Sequence, residues 1–405
     1  MCNEIKLKIQ KYTLVLITVL GILNAPGSVA KFITIISRKH RFVEAYYGTL
    51  TYSINMLEVC LIIWGLLIYR KRRESINILP ILGLVLAKDF IIYLLGSRSP
   101  FSLNSWEMYI WPLIGVTTSF VICEYARSEN NVYIFLDGII LINFVTQILL
   151  IISKRSELSG AEAIGQGHNS VGYIAAVHII YGLLLREKNK KTISVTIIAF
   201  ISILFSGSRF SLLIVFVGVF VFIPRIMKTV RKRYRYISSV ALSVVIVLLV
   251  MMIANPNINS KYQIFEQASS IFNSTGIVNN IMGDQSFKER VESFTVGFRV
   301  IKDNPFGLSN SYIDVYLEMI QHGFFSFPHS TVLTFYMLWG PMFFVCIAWI
   351  LIRMKKTNEK NMCYFLGFIL CCLMFYGGLE ISPKWYAYIF CLLSAIRMRE
   401  KKMVK

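Results

Sequence analysis

The sequence predicts an all-α polytopic membrane protein with about twelve transmembrane helices and one long extracytoplasmic loop, and three observations predict it. Hydrophobic residues fill 56% of the 405 positions and mean hydropathy is +0.60, whereas soluble domains hold roughly 45 to 50% apolar residues. The excess is gathered into runs of about 17 to 24 residues, the length that crosses ~30 Å of hydrocarbon. Lysine and arginine cluster in short stretches between those runs, the pattern that fixes orientation in a bilayer.

Taken in order, the apolar runs place spans at 12–36 (bent near Pro26), 47–69, 76–96, 106–126 and 132–152. The second half places them at 169–185, 192–205, 210–223, 237–254, 330–352, 361–378 and 385–396. The first run follows a basic start and has no small-residue cleavage site, so it is expected to be a retained helix. Alternation from a cytoplasmic N-terminus puts Lys6, Lys8 and Lys11 inside, with Arg70 to Arg73 and Arg186 to Lys191. The clusters at 225–235, 353–360 and 397–405 fall on the same side, which makes both termini cytoplasmic. Arg38, Lys39, His40 and Arg41 are the exception.

The chain therefore divides into 1–254, carrying the first nine spans; 255–328, a loop at the outer face; and 329–405, with the last three spans and a basic tail. A loop this long inside a compact protein is usually functional or disordered. Within it Val291, Phe294, Phe298 and Ile301 recur at helical spacing, which predicts an amphipathic helix on the membrane surface.

Composition also excludes classes. The net charge of +20 lies in interhelical clusters, so its partner is anionic lipid and not nucleic acid. Of eight cysteines, seven (60, 123, 346, 363, 371, 372 and 391) sit in apolar runs and Cys2 is terminal, so no disulfide framework is expected.

Three constellations carry chemistry. In Ser206-Gly207-Ser208-Arg209 the small residues allow a tight turn and leave amide groups at the start of the next helix, an arrangement that suits an anion. A guanidinium at the bilayer centre costs about 2.5 to 3.5 kcal/mol, so Arg209 needs an anionic partner or a wet interface. The bland alternative is an interfacial arginine reaching lipid phosphate. Arg290 opens the predicted loop helix ahead of Asn304-Pro305-Phe306-Gly307, with Arg299 a weaker rival; spacing alone allows a solvated or ion-paired residue there. His329, followed by Ser330, stands where the loop re-enters the membrane, and an imidazole there can exchange a proton near neutral pH. A structural histidine would look the same.

These residues resemble the O-antigen polymerase and O-antigen ligase superfamily, including Wzy-type polymerases. The resemblance rests on Gly167-His168-Asn169-Ser170-Val171-Gly172, on Ser206-Gly207-Ser208-Arg209 with Leu213, on Arg290 ahead of Asn304-Pro305-Phe306-Gly307, and on His329-Ser330 with Leu333 and Gly340. The chain departs from the commoner pattern at Phe210, where small residues often follow the arginine, at Leu308, where a second glycine usually follows, and at Ser330, where asparagine often follows the histidine.

The resemblance implies a metal-independent glycosyltransferase without cofactor, acting at the outer face of the bacterial cytoplasmic membrane. Its donor would be an undecaprenyl-pyrophosphate-linked oligosaccharide, and its product O-antigen or capsular polysaccharide. Arg209 and Arg290 would hold the pyrophosphate and His329 the attacking hydroxyl, with Ser208, Asn169, Arg299 and Ser330 assisting in substrate binding. Membrane lipid, a chain-length regulator and a flippase would be partners. A ligase of the same superfamily remains open, as does a lipid-linked glycan flippase or transporter. For a transporter, Glu58, Lys88, Asp89, Glu124 and Asp137 are the intramembrane charges to consider, although Lys88 beside Asp89 reads first as a structural pair.

Overall fold

The computed structural model describes residues 78–94, 107–126, 129–152, 168–186, 189–229, 285–308, 312–355, 360–374, 376–377 and 383–404, with isolated positions at Ile63, Leu66 and Leu67. Among these residues there are twelve helices and no strands. The helices are α1 (Leu79–Leu94), α2 (Glu107–Ala126), α3 (Glu129–Ile152), α4 (His168–Leu184), α5 (Lys190–Ser206) and α6 (Arg209–Thr229). They continue with α7 (Gln285–Asp303), α8 (Tyr312–Gln321), α9 (Thr331–Trp339), α10 (Met342–Lys355), α11 (Lys360–Met374) and α12 (Pro383–Val404).

Every expected span that falls on described residues is helical over most of its length, although the one at 361–378 is not helical at residues 376–377. The expected spans at 12–36 and 237–254, and nearly all of 47–69, lie outside the described residues. Among the described residues one segment, Val132–Ile152, is long and apolar enough to cross a membrane as a single straight helix. The apolar cores of α2, α6, α11 and α12 are shorter.

The run expected as one span over 330–352 is corrected by the structure: α9 and α10 meet at an angle of 116°. The physical reason is the pair Gly340-Pro341. Gly340 takes a positive φ of 59° and its N–H closes α9 on the carbonyl of Tyr336 at 2.7 Å. Pro341 then lacks the N–H that would continue the helix.

The described helices form two compact units. One contains α1, α2, α3 up to Ile139, α7 from Ser293, and α8 to α12. In it α2 and α12 pack so closely that a Cβ on Gly115 would overlap Tyr386. α9 packs on α8, α10 and α11, and α10 packs on α1.

The other unit contains α3 from Ile140, α4, α5, α6, and α7 up to Glu292. Its centre is α4, buried from Ser170 to Tyr181 and packed against both α5 and α6. Polar groups tie α3 to α5. The Gln147 carboxamide donates to the Ser202 carbonyl at 3.1 Å and accepts from the Ser202 hydroxyl at 2.6 Å. Satisfying both groups removes the cost of burying them.

The predicted loop helix is present as α7. Ser293, Val296, Gly297 and Val300 turn inward, and a Cβ on Gly297 would meet Leu333 and Met337 of α9. Val291 and Phe298 stay exposed. The helix thus has one face for protein and a second apolar stripe left outward. A further short helix, α8, follows it and was not drawn from the sequence.

The chain after α7 makes a turn, Asn304 to Leu308, that seats on the α9–α10 bend. Gly307 also has a positive φ, 85°, and a Cβ there would stand 2.5 Å from the amide nitrogen of Gly340. The Leu308 N–H donates to the Met337 carbonyl at 2.5 Å. Replacing Gly340 by alanine imposes an unfavourable backbone conformation and a collision with the Phe306 carbonyl, so Gly340→Ala is expected to lose about 1 to 3 kcal/mol of stability. Gly83→Ala on α1, where nothing lies within 4 Å of the added carbon, is expected to be neutral or stabilising by up to about 1 kcal/mol. Thermal unfolding of the two purified variants checks the contrast, and equal melting temperatures would refute it.

Candidate functional site

The Ser206 to Arg209 segment ends one helix and begins the next in four residues. Gly207 takes a positive φ of 64° and donates its N–H to the Leu204 carbonyl at 3.2 Å, which closes α5. Ser208 then caps α6: its hydroxyl lies 2.7 Å from that of Ser211 and accepts from the Ser211 N–H at 3.4 Å. Ser206, Ser208 and Ser211 are all buried, gathered around Gly172 of α4. A Cβ on Gly172 would come within 2.8 Å of each of them, so only glycine lets α4 approach this turn. The start of α6 is therefore capped by its own serine, which takes the Ser211 N–H, while the Ser208 N–H reaches the Ser206 hydroxyl. Arg209 is the first residue of α6, and Asn169 stands exposed at the second position of α4.

In the same unit, the guanidinium carbon of Arg290 lies 5.4 Å from the ring centroid of Phe210, the residue after Arg209. A cation over an aromatic face is held by the ring quadrupole, an interaction that uses none of its N–H donors. The structure thus brings Arg290 to the start of α6. Arg290 is half-buried by its surroundings, whereas Arg299, two and a half turns along α7, is exposed.

His329 belongs to the other unit, and its main chain is pinned from several sides. Its N–H donates to the hydroxyl of Ser293 on α7 at 2.9 Å, and Thr331 N–H donates to the Tyr376 carbonyl at 2.6 Å. The imidazole stands edge-on to the Phe324 ring, with centroids 6.3 Å apart. Ser330 is fully buried and its hydroxyl accepts from the Leu333 N–H at 3.1 Å, capping α9. That bond accounts for a serine at this position.

Two charged groups that spacing left undistinguished become specific. His322, at the end of α8, faces Asp303 at the end of α7: Nε2 lies 2.9 Å from the carboxylate, and Nδ1 lies 2.9 Å from the Glu318 carbonyl. The pair clamps α7 to α8. The turn that follows, with Gly323 at φ 88° and the Phe324 N–H on the Met319 carbonyl, presents Phe324 to His329. Lys88 and Asp89 form the expected pair at 2.7 Å, but the Lys88 ammonium also reaches two main-chain carbonyls. Sequence spacing carries no signal for either contact, because the partners lie 19 and more than 200 residues away. Among the described residues no group of three or more His, Cys, Asp or Glu side chains is placed to hold a metal ion.

The described helices are largely apolar, with Arg290 held on the Phe210 ring in one unit and His329 fixed ahead of a short helix in the other. Residues 194–348 match the family model described as O-Antigen ligase, in keeping with the O-antigen polymerase and ligase superfamily. Proteins of this family are bacterial inner-membrane proteins that transfer glycosyl groups in O-antigen biosynthesis, with lipid-linked glycans as substrates in general. The matched stretch includes Ser208, Arg209, Arg290, Arg299, His329 and Ser330, and begins after Asn169. No curated protein matches the chain.

The Asp303 hydrogen bond, followed by that from the Glu318 carbonyl, raises the His322 pKa above the ordinary 6.5. A raised histidine pKa stabilises the fold fully below the unfolded value and loses that contribution as pH climbs through the folded value. The melting temperature of His322→Gln is thus expected to fall below wild type at about pH 6, with the gap closing by about pH 9. A gap that is constant or widens with pH would show that the ion pair is not its source.

Proposed function

We propose that the protein is a polymerase that joins undecaprenyl-pyrophosphate-linked oligosaccharide repeat units into O-antigen or capsular polysaccharide at the outer face of the cytoplasmic membrane. The observation that carries this reading is the Arg290 cation on Phe210, the residue that follows Arg209 in the chain, within the stretch that matches the family. Arginine suits pyrophosphate because its planar fork can grip two oxygens and stays charged at any relevant pH.

In the proposed reaction a hydroxyl oxygen of the acceptor glycan forms a bond to the anomeric carbon of the donor. The bond from that carbon to the pyrophosphate oxygen breaks, and the electron pair leaves with undecaprenyl pyrophosphate. Arg209 and Arg290 stabilise the charge that develops there, and His329 accepts the hydroxyl proton. Ser208 and Ser330 act by shaping the helix starts, while Asn169 and Arg299 line the glycan path. No metal ion is required for this balance. The prenyl chain stays in the bilayer and enters from the side, which avoids exposing it to water.

The proposed topology has about twelve spans, both termini in the cytoplasm and the site outside, so the substrate arrives after a flippase and its length is set with a regulator. The second reading, a ligase that moves finished chains to a lipid A-core acceptor, is favoured by the description of the matching family. Deleting the gene distinguishes them: single repeat units on the surface indicate a polymerase, and unattached long chains indicate a ligase. Lipid-linked units trapped inside would point to a flippase.

Arg290→Ala and His329→Ala, expressed at wild-type level, are each expected to lower transfer by roughly 10²-fold or more, leaving short chains on a glycan gel. Long polysaccharide from either variant would remove that residue from the site. Arg209→Lys keeps the charge but loses the fork, so full activity there would make Arg209 an interfacial anchor only.

A further inference from the structure

Lys88 sits on α1 in an apolar stretch, and its pairing with Asp89 explains only one of its three N–H donors. The others reach main-chain carbonyls that belong to two distant segments: Leu338 at 2.9 Å, in the last turn of α9, and Leu308 at 3.3 Å, in the turn after α7. Asp89, almost fully buried, is held in turn by the phenol of Tyr109 on α2.

The last carbonyls of any helix have no partner within it, and in apolar surroundings they must find one elsewhere. At the α9–α10 bend Pro341 has no N–H for the Met337 carbonyl four residues back, which takes the Leu308 N–H instead. The Lys88 ammonium supplies a donor to the next carbonyl, Leu338, and a positive charge at a helix C-terminus is further favoured by the helix dipole. Leu308 completes the joint, since its N–H is on the Met337 carbonyl and its own carbonyl shares the ammonium with Leu338. Gly307 and Gly340 let the two backbones touch there.

α9 is nine residues long, about 13 Å. Its C-terminal end is fixed by Lys88, and His329 precedes its N-cap. We propose that Lys88 is a positioning residue of the transfer site: by tying the Asn304 to Leu308 turn to the C-terminal end of α9, it sets where that helix, and the His329 imidazole at its other end, stands. This rests on the role given to His329 above.

Lys88 touches no reacting atom, so its loss should lower turnover while leaving donor affinity, a matter for the arginines, unchanged. The test uses full-length protein in liposomes with lipid-linked repeat units isolated from a strain lacking the gene, and compares wild type, Lys88→Met, Lys88→Met/Asp89→Leu and His329→Ala. Lys88→Met is expected to lower kcat by up to ~100-fold, the effect of a misplacement of about 1 Å, with KM for the donor within about 2-fold of wild type. The single variant leaves Asp89 buried without its counter-ion and is expected to melt lower; the double variant removes that charge and is expected to recover stability but not kcat.

Recovery of kcat together with melting temperature in the double variant would make Lys88 a structural ion pair only, and undiminished kcat in Lys88→Met would overturn the proposal outright. If His329→Ala is inactive in the same assay while Lys88→Met is not, this inference fails and the reading of the site stands. If His329→Ala retains full turnover, the reading itself fails.

Discussion

The bend between α9 and α10 depends on one constraint: backbone groups released from a helix in apolar surroundings must be given partners. At Gly340 the helix stops, the chain turns by 116°, and the carbonyls left behind are met by an N–H from Leu308 and the ammonium of Lys88. Without those donors each orphaned carbonyl would cost several kcal/mol away from water. The seating of the Asn304 to Leu308 turn and the stop of α9 thus follow from one local requirement.

The three places where the chain departs from the commoner pattern of the superfamily make physical sense in the same terms. Phe210 provides the ring on which the Arg290 cation rests, a contact that a small residue after Arg209 would not offer. Leu308 is buried and contributes both of its main-chain groups to the joint with α9, where a side chain is an advantage and a second glycine would only add flexibility. Ser330 caps α9 with its hydroxyl, a function that asparagine performs comparably. Each substitution alters a side chain whose contact in this chain is visible.

Helical class was legible because it depends on local composition: apolar runs of span length leave the backbone no alternative to hydrogen-bonding within each run. The Ser206 to Arg209 turn was legible too, since a glycine between two serines at the end of an apolar run marks a helix stop and a new cap. What packs against that turn was not. The cluster of Ser206, Ser208 and Ser211 around Gly172 depends on α4 arriving from elsewhere in the chain, which spacing does not carry. The break at Gly340 was hidden because Pro341 and Gly340 lie inside a run apolar enough to pass as one span. The inward face of α7 was not legible for a related reason. Helical periodicity identifies apolar faces but not which of two is covered, and the small residues Ser293 and Gly297 that allow close packing carry little hydropathy.

Long-range cation contacts are the least legible of all, and they decide how a basic membrane protein uses its charge. Most of the +20 lies in short clusters between apolar runs, but Lys88 and Arg290 have partners no cluster supplies. Lysine is fitted to the first place, where a compact ammonium must meet two carbonyls and a carboxylate in different directions. Arginine is fitted to the second, where a delocalised, planar cation rests on a ring. Exchanging the two would leave net charge and hydropathy untouched and spoil both sites, so the chemistry of each cation, and not the charge, is what the fold has placed.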